Sequence, residues 1–305
     1  MTPEPGGPLP DSTAVEPCGM NIIGCGRAAG SLVRLWLASG AVSLGDVLNR
    51  SPDSTGRAVR ALGAGRAVDR LTAMRAADCW LIGTGDDQVA VAARALAGAQ
   101  PDLRGTLVFH LAGRLGLDVL EPVAEAGAQI AALHPVRSLT HDRLDIDRFR
   151  GTACVAEGSA ESLAQLQMLV TAIGGLWLPV SGIDRGLYHA ALSIVSNVTK
   201  GVAWKAQKWL EHSGLPPDTA AAVTHQLLQS TLEDLFRAGA HQSITGPVVR
   251  GDTRTVEAHL AAVAASHPRD VELYRVLART VLELAEERGD LDAAVLARFQ
   301  DLLGD

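Results

Sequence analysis

Aromatic side chains are scarce in this chain, at 4% of 305 residues, and no basic cluster interleaves with them. The formal net charge is −7, so the chain lacks the electrostatic footprint of a nucleic-acid binder. Its four cysteines, Cys18, Cys25, Cys79 and Cys154, are scattered and form no CxxC pair. They imply neither a zinc site nor a disulfide framework, and no metal is expected. No apolar run approaches the ~20 residues of a membrane-spanning helix. Residues 1–19 are rich in proline and glycine but have no basic n-region and no apolar h-region. They read as a disordered leader and not as a signal peptide. A soluble cytoplasmic protein is the default.

What is present points to a folded enzyme-sized chain. Apolar residues make up 47%, too many for disorder. The length suits two domains, each with its own core. Strand-like runs at 20–23, 42–48, 66–68, 79–83, 106–111 and 128–133 alternate with helical patterns at 31–39, 55–63, 87–97 and 117–126. Asp86 reads as an N-cap of the third helix and Gly98 as its stop. Strands at 152–156 and 176–180, around a helix at 160–173, extend the sheet. From 181 onward the pattern is helical, with one long helix over 184–211 and others at 218–238, 253–265, 268–288 and 292–303; 241–250 reads as a loop. The expected fold class is α/β. A parallel sheet with helices on both faces spans 20–181, and an all-α domain spans 182–305.

The stretch Met20–Gly30 organises the first domain. An apolar strand leads into Gly24-Cys25-Gly26-Arg27-Ala28-Ala29, and a helix follows. The first glycine serves a tight turn and the second a close backbone approach to a pyrophosphate. A third small residue, here Ala29, serves helix–strand packing. Free N–H groups at the helix start favour phosphate. The end of the second strand selects the cofactor. An acidic residue there would bind the ribose hydroxyls of NAD, but the chain has Asn49, Arg50 and Ser51. Arg50 can pair with a 2′-phosphate, which predicts NADP(H); the alternative is a solvated loop residue. Arg27 is a second phosphate-facing cation, while Asp46 lies within the strand, too early for the ribose role. Other residues beyond strand ends are Thr84 and Asp86 on the cofactor side, and His110, Gly113 and His134 on the substrate side.

In the helical domain His189, Ser193, Ser196 and Lys200 fall on one face of a helix, bordered by Asn197. The stripe is short and weakly charged, as the lining of a polar cavity would be, where a solvent face would carry more Glu, Arg and Gln. Within 244–252, glycine and proline fix a loop carrying Arg250 and Asp252. Arg250 either holds a substrate carboxylate by a bidentate fork or pairs with Asp252.

Taken together, the residues Gly24-x-Gly26-x-x-Ala29, His110-x-x-Gly113, His134-Pro135, Tyr188-His189-Ala190, Ser196-Asn197 and Thr245-Gly246-Pro247-x-x-Arg250-Gly251-Asp252 resemble a known group. It is the bacterial Rossmann-like oxidoreductases with a helical C-terminal domain of unknown function. The resemblance implies an NADP-dependent reductase related to ketopantoate reductase, pyrroline carboxylate reductase and 6-phosphogluconate dehydrogenase, dimeric through its helical domain. Two departures stand out. Ser193 occupies the place of a lysine four residues before Asn197, and Ala112 the place of a serine before Gly113.

The expected chemistry is hydride transfer from NADPH to a C=O or C=N bond of a small organic acid. His189 is the first choice of proton donor, with His134 and Lys200 behind it. Asn197 would orient the substrate oxygen, with Ser193, His110, Gly113 and Arg250 at the substrate. The rival is a sensor that binds NADP or a metabolite without turnover, which the missing Lys and Ser keep open.

Overall fold

The computed structural model describes residues 16–138 and 146–304; most of the expected leader, 1–15, lies outside the described residues. The strands are β1 Cys18–Ile23, β2 Val42–Leu48, β3 Arg66–Ala67, β4 Cys79–Ile82, β5 Leu107–His110, β6 Gln129–Pro135, β7 Ala153–Gly158 and β8 Leu176–Pro179. They form one sheet in the order β3-β2-β1-β4-β5-β6-β7-β8. Helices α1 Arg27–Ser39, α2 Pro52–Leu62, α3 Asp86–Ala99, α4 Glu121–Glu125, α5 Ile146–Phe149 and α6 Ala160–Ala172 fill the crossovers. Then come α7 Arg185–Ser193, α8 Thr199–His212, α9 Pro217–Ala238, α10 Ala240–Ser243, α11 Thr253–Ser266, α12 Val271–Arg288 and α13 Ala293–Leu303. The chain divides into two compact units between Ile194 and Val195.

The period-2 alternation of the strands supplies two cores, one on each face of the sheet. Met20, Ile22, Cys79, Leu81, Leu107 and Phe109 point to the face covered by α1 and α6. Ile23, Trp80, Ile82 and Val108 point to the face covered by α3 and α4. Trp36 ties the first core together. It is fully buried, meets Phe109 edge-on at 6.2 Å and donates its indole N–H to Leu169 O at 2.9 Å. Truncating a buried aromatic of this kind costs about 3–5 kcal/mol. In the second unit α11, α12 and α13 pack through Val256, Leu260, Ala278, Leu282, Phe299 and Leu303.

The structure departs from the sequence reading at several boundaries. β1 starts at Cys18, inside the stretch read as leader, and α1 starts at Arg27 directly on the glycine turn. Gly85, not Asp86, is the N-cap residue of α3, with Asp86 in its first turn, and Gly98 lies within the helix. All strand pairs are parallel except β6 with β7, which is antiparallel. A parallel return needs a long crossover, commonly a helix. The described part of the β6–β7 connection holds only the four-residue α5, so the extension of the sheet begins with a reversal. The expected single helix over 184–211 is interrupted by a π-helical turn, Ile194–Val198. β-branched Ile194, Val195, Val198 and Thr199 lie in or beside this stretch, and residues of that shape lower helix propensity slightly. The expected loop over 241–250 contains most of the short helix α10.

Candidate functional site

The sheet reverses its winding between β1 and β4. β1 is followed outward by β2 and β3, and β4 begins the run in the opposite direction. Open α/β sheets bind ligands at the carboxyl ends of strands at such a switch point. Gly24 lies there, with φ +85°, and its N–H donates to Leu48 O at 2.7 Å. A Cβ on Gly24 would sit 2.7 Å from Thr84 N. A Cβ on Gly83 would sit 2.4 Å from the Ala29 Cβ and 2.5 Å from Gly24 O. The turn is therefore clamped between the tip of β4 and the first turns of α1, and Gly83 is as necessary to it as Gly24. The side chain of Asn49 fastens the same turn to β2. Its Oδ1 accepts from Cys25 N at 2.6 Å, and its Nδ2 donates to Ser54 O at 3.1 Å. Ser51 is turned into α2, where it forms a capping box with Ser54.

Gly26 is the N-cap residue of α1 and provides no side-chain cap, so the N–H groups of the first turn, at Arg27 and Ala28, face outward without a side-chain acceptor. Beside them a cavity of about 470 Å³ opens between α1 and α2. Arg27, Arg34 and Arg57 line it with Ser31 and Ser54, and no carboxylate does. Arg50 is exposed and is not part of its lining. At the tip of β4 the Thr84 hydroxyl is buried without a hydrogen-bond partner.

Across the crevice, the ends of β5 and β6 carry two histidines in different states. His110 is fully buried. Its Nδ1 accepts from Ala112 N at 3.2 Å, which leaves Nε2–H to donate to Gly116 O at 3.1 Å. Burial holds its pKa below the ordinary value. His110 is thus a neutral strut of the loop that follows β5, with no ring nitrogen left for a substrate. His134 shares a hydrogen bond of 2.8 Å between its Nδ1 and the Tyr188 hydroxyl of α7. Burial, then the neighbouring His189 and Arg185, push its pKa down to about 4. Gly113 lets the backbone pass this ring, since a Cβ there would meet the His134 ring at 2.8 Å. Burial raises the Tyr188 pKa, partly offset by Arg185. The Arg185 guanidinium lies 5.8 Å from the Tyr188 ring centroid and is paired with Glu157 at 2.7 Å. Its Nη1 is buried with no acceptor. Asp86 faces Arg114 at 3.9 Å.

His189 is exposed and its side chain makes no hydrogen bond among the described residues; Ser193, half-buried, ends α7. Asn197 belongs to the π-turn, and the Lys200 ammonium donates to Ser196 Oγ at 3.3 Å. Because that turn changes the helical phase, the stripe from His189 to Lys200 is not the single α-helical face its spacing predicts. In the second unit Arg250 is exposed. Asp252 is the N-cap of α11, accepting from Thr255 N at 3.1 Å, and forms no ion pair with Arg250.

Residues 10–135 match the Rossmann-like domain family, and residues 152–281 match the family described as a domain of unknown function, DUF2520. The chain joins a Rossmann-like domain to a DUF2520 domain. No curated protein matches it. Among solved structures it is similar to a candidate NADP oxidoreductase from Bacteroides fragilis, with 20% identity over 88% of this chain and 99% of that one and a TM-score of 0.70. An imine reductase from Myxococcus stipitatus in complex with NADP+ has 16% identity over 92% and 99%, with a TM-score of 0.63. A pyrroline-5-carboxylate reductase from Coxiella burnetii has 19% identity over 89% and 98%, with a TM-score of 0.56. At these identities the likeness is one of fold.

Within the Rossmann-like domain, the sequence did not single out Gly83 for the turn, and it placed Asp46 within β2 without revealing the burial or the partners of its carboxylate. Asp46 is fully buried and bound by Arg66 and Arg75, each at 2.8 Å, as well as by Arg75 N at 2.7 Å. These bonds hold its pKa far below the usual carboxylate range. It joins β2 to β3 and to the segment that follows β3. Around the DUF2520 boundary, the partnership of Tyr188 with His134 spans too many residues for local spacing to reveal.

Proposed function

We propose that the protein is an NADP-dependent reductase that delivers a hydride to a C=O or C=N bond of a small organic acid. One observation carries the reading. The Gly24–Gly26 turn, clamped by Gly83 and Asn49, aims the uncapped start of α1 at a cavity walled by arginines without carboxylates. Backbone N–H groups and guanidinium groups suit a pyrophosphate, and the free Thr84 hydroxyl adds a donor at the same strand ends. The names of the similar structures, an imine reductase and a pyrroline-5-carboxylate reductase among them, favour the C=N arm.

When bound, a reduced nicotinamide supplies the hydride. The protein must then supply a proton to the substrate oxygen or nitrogen. The Tyr188 hydroxyl is the favoured source, ahead of His189, because His134 fixes its position at 2.8 Å while His189 has no fixed partner. Both members are neutral near pH 7: the phenol pKa is raised and that of His134 lies at about 4. Tyr188 therefore holds a transferable proton, and His134 orients it. Arg185, itself held by Glu157, places a positive charge against the Tyr188 ring and favours the phenolate left behind. The role of Asn197, Lys200 and Arg250 in substrate contact rests on the sequence pattern alone.

The same reading includes a cytoplasmic homodimer formed through the helical domain. Val195, Trp204, Leu227 and Phe236 expose large apolar side chains there, with Leu227 at 65% and Phe236 at 81%. Such patches commonly mark protein interfaces. No helix among the described residues is long and apolar enough to cross a membrane.

The test is NADPH oxidation against a panel of 2-keto acids and cyclic imines, with Tyr188→Phe and His189→Ala beside the wild type. The reductase reading expects turnover that falls in Tyr188→Phe while NADPH affinity is kept. Tight NADPH binding with no consumption across the panel would favour the sensor reading instead.

A further inference from the structure

Two adjacent strands inside the sheet each begin with a cysteine. Cys18 opens β1 and Cys79 opens β4. In the β1–β4 ladder Met20 faces Cys79, so Cys18, two residues earlier, is its diagonal neighbour on the same side of the sheet. Both side chains turn to the core under α1 and α6. There the Cys79 thiol donates a hydrogen bond to the Cys18 sulfur. Cys79 is fully buried, whereas Cys18 is half-buried and follows the exposed Glu16 and Pro17. The bond from Cys79 holds the Cys18 thiol below its ordinary pKa, against burial and the charge of Asp78, whose carboxylate accepts from Gly19 N at 2.8 Å. The other three thiols, Cys25, Cys79 and Cys154, are pushed up, each chiefly by burial.

We propose that Cys18 and Cys79 form an oxidisable dithiol, a modification site for a hydroperoxide. Cys18 is the attacking sulfur, because it is reachable and the thiolate is the reactive form. Its thiolate attacks one peroxide oxygen and the O–O bond breaks. The sulfur keeps a hydroxyl as a sulfenic acid, and the other oxygen leaves and takes up the thiol proton as an alcohol or water. Cys79, already in contact, then attacks the Cys18 sulfur. The hydroxyl leaves with the Cys79 proton as water, and one S–S bond forms. Two thiol hydrogens and two electrons have passed to the hydroperoxide. Diagonal neighbours on parallel strands have Cα atoms roughly 7–8 Å apart, at or just past the ~7 Å that a disulfide spans. The first residue of β1 must therefore shift toward β4, and a bond formed under that strain is readily reduced. The pair is a reversible modification site and not a structural staple.

The experiment is treatment of the reduced full chain with hydrogen peroxide, followed by blocking of the remaining thiols in denaturant and mapping of the cysteines by mass spectrometry. The proteins are the wild type, Cys18→Ser, Cys79→Ser and Cys25→Ser. In the wild type two of the four thiols should disappear and the mass should fall by two hydrogens. The Cys18 and Cys79 peptides should be joined until dithiothreitol parts them. Cys25→Ser should behave in the same way. In Cys79→Ser a sulfenic acid at Cys18 should be trapped by dimedone, and in Cys18→Ser the buried Cys79 should stay reduced. Survival of all four thiols in the wild type overturns the proposal. So does a sulfenic acid at Cys18 beside a free Cys79, or oxidation of Cys25 ahead of Cys18. The wild-type map decides even where a serine variant fails to fold, and no outcome depends on dinucleotide binding.

Discussion

Acidification should destabilise the first unit through His134 in a way that one substitution isolates. In the unfolded chain His134 binds a proton near its ordinary pKa of 6.5, but in the folded protein it stays neutral until about pH 4. Burial is the largest cause, and the charges of His189 and Arg185 act in the same direction. Above pH 6.5 both states are neutral and the stability is complete. As pH falls from 6.5 to 4 the unfolded state gains a proton that the folded state refuses, so stability declines; below 4 it levels off. At about 1.4 kcal/mol per pKa unit this shift corresponds to roughly 3 kcal/mol, and residual solvent access brings the expectation to about 2–3 kcal/mol. Carboxylates titrate in the same range, so the informative quantity is the difference between wild type and His134→Asn. Urea unfolding at pH 7.5 and at pH 4.5, followed by tryptophan fluorescence, measures it. The stability advantage of the wild type should shrink by about 2–3 kcal/mol at the lower pH. A constant difference, or an imidazole NMR titration of His134 centred near 6.5, would refute the reasoning.

Other expectations follow from single contacts. Asp46→Ala removes the buried acceptor of Arg66, Arg75 and the Arg75 N–H and should cost about 1–3 kcal/mol in chemical unfolding, because the hydrogen bonds are lost while the two half-exposed guanidinium groups return to water. Gly83→Ala places a Cβ against Ala29 and Gly24 and should destabilise by about 1–3 kcal/mol, with dinucleotide binding lost in the same titration. Phe236→Asp combined with Leu227→Asp should convert a dimer to a monomer by light scattering; a dimer unchanged by both would place the interface elsewhere.

The sheet was legible in the sequence wherever its signal was local. Alternation in 79–82 and 107–110 places Leu81 and Phe109 on one face and Trp80 and Val108 on the other, and β2 falls where it is expected. The glycine turn is likewise a local motif. The antiparallel step at β7 was not legible, because strand direction depends on the path of the connection and not on the strand's own residues. The π-turn escaped for a related reason: a stripe read at i, i+4, i+7 and i+11 assumes a constant turn, which the spacing itself cannot test. At the candidate site, position along the chain selected Arg50. The arginines that line the cavity come from two helices that only the fold brings face to face. His110 and His134 look alike in sequence, each at a strand end. Burial and hydrogen-bond partners separate them into a strut and a member of the Tyr188 pair. Residues of the second unit, Asn197, Lys200 and Arg250, are exposed side chains whose role depends on what binds them.

The most direct test of the account is fluorescence titration of the wild-type protein with NADPH and NADH. Saturable NADPH binding, tighter than NADH and weakened by rising salt as a phosphate contact requires, is the expected result. Failure to bind either dinucleotide would mean that the glycine turn and its cationic cavity belong to the fold alone, and the reductase reading would fall.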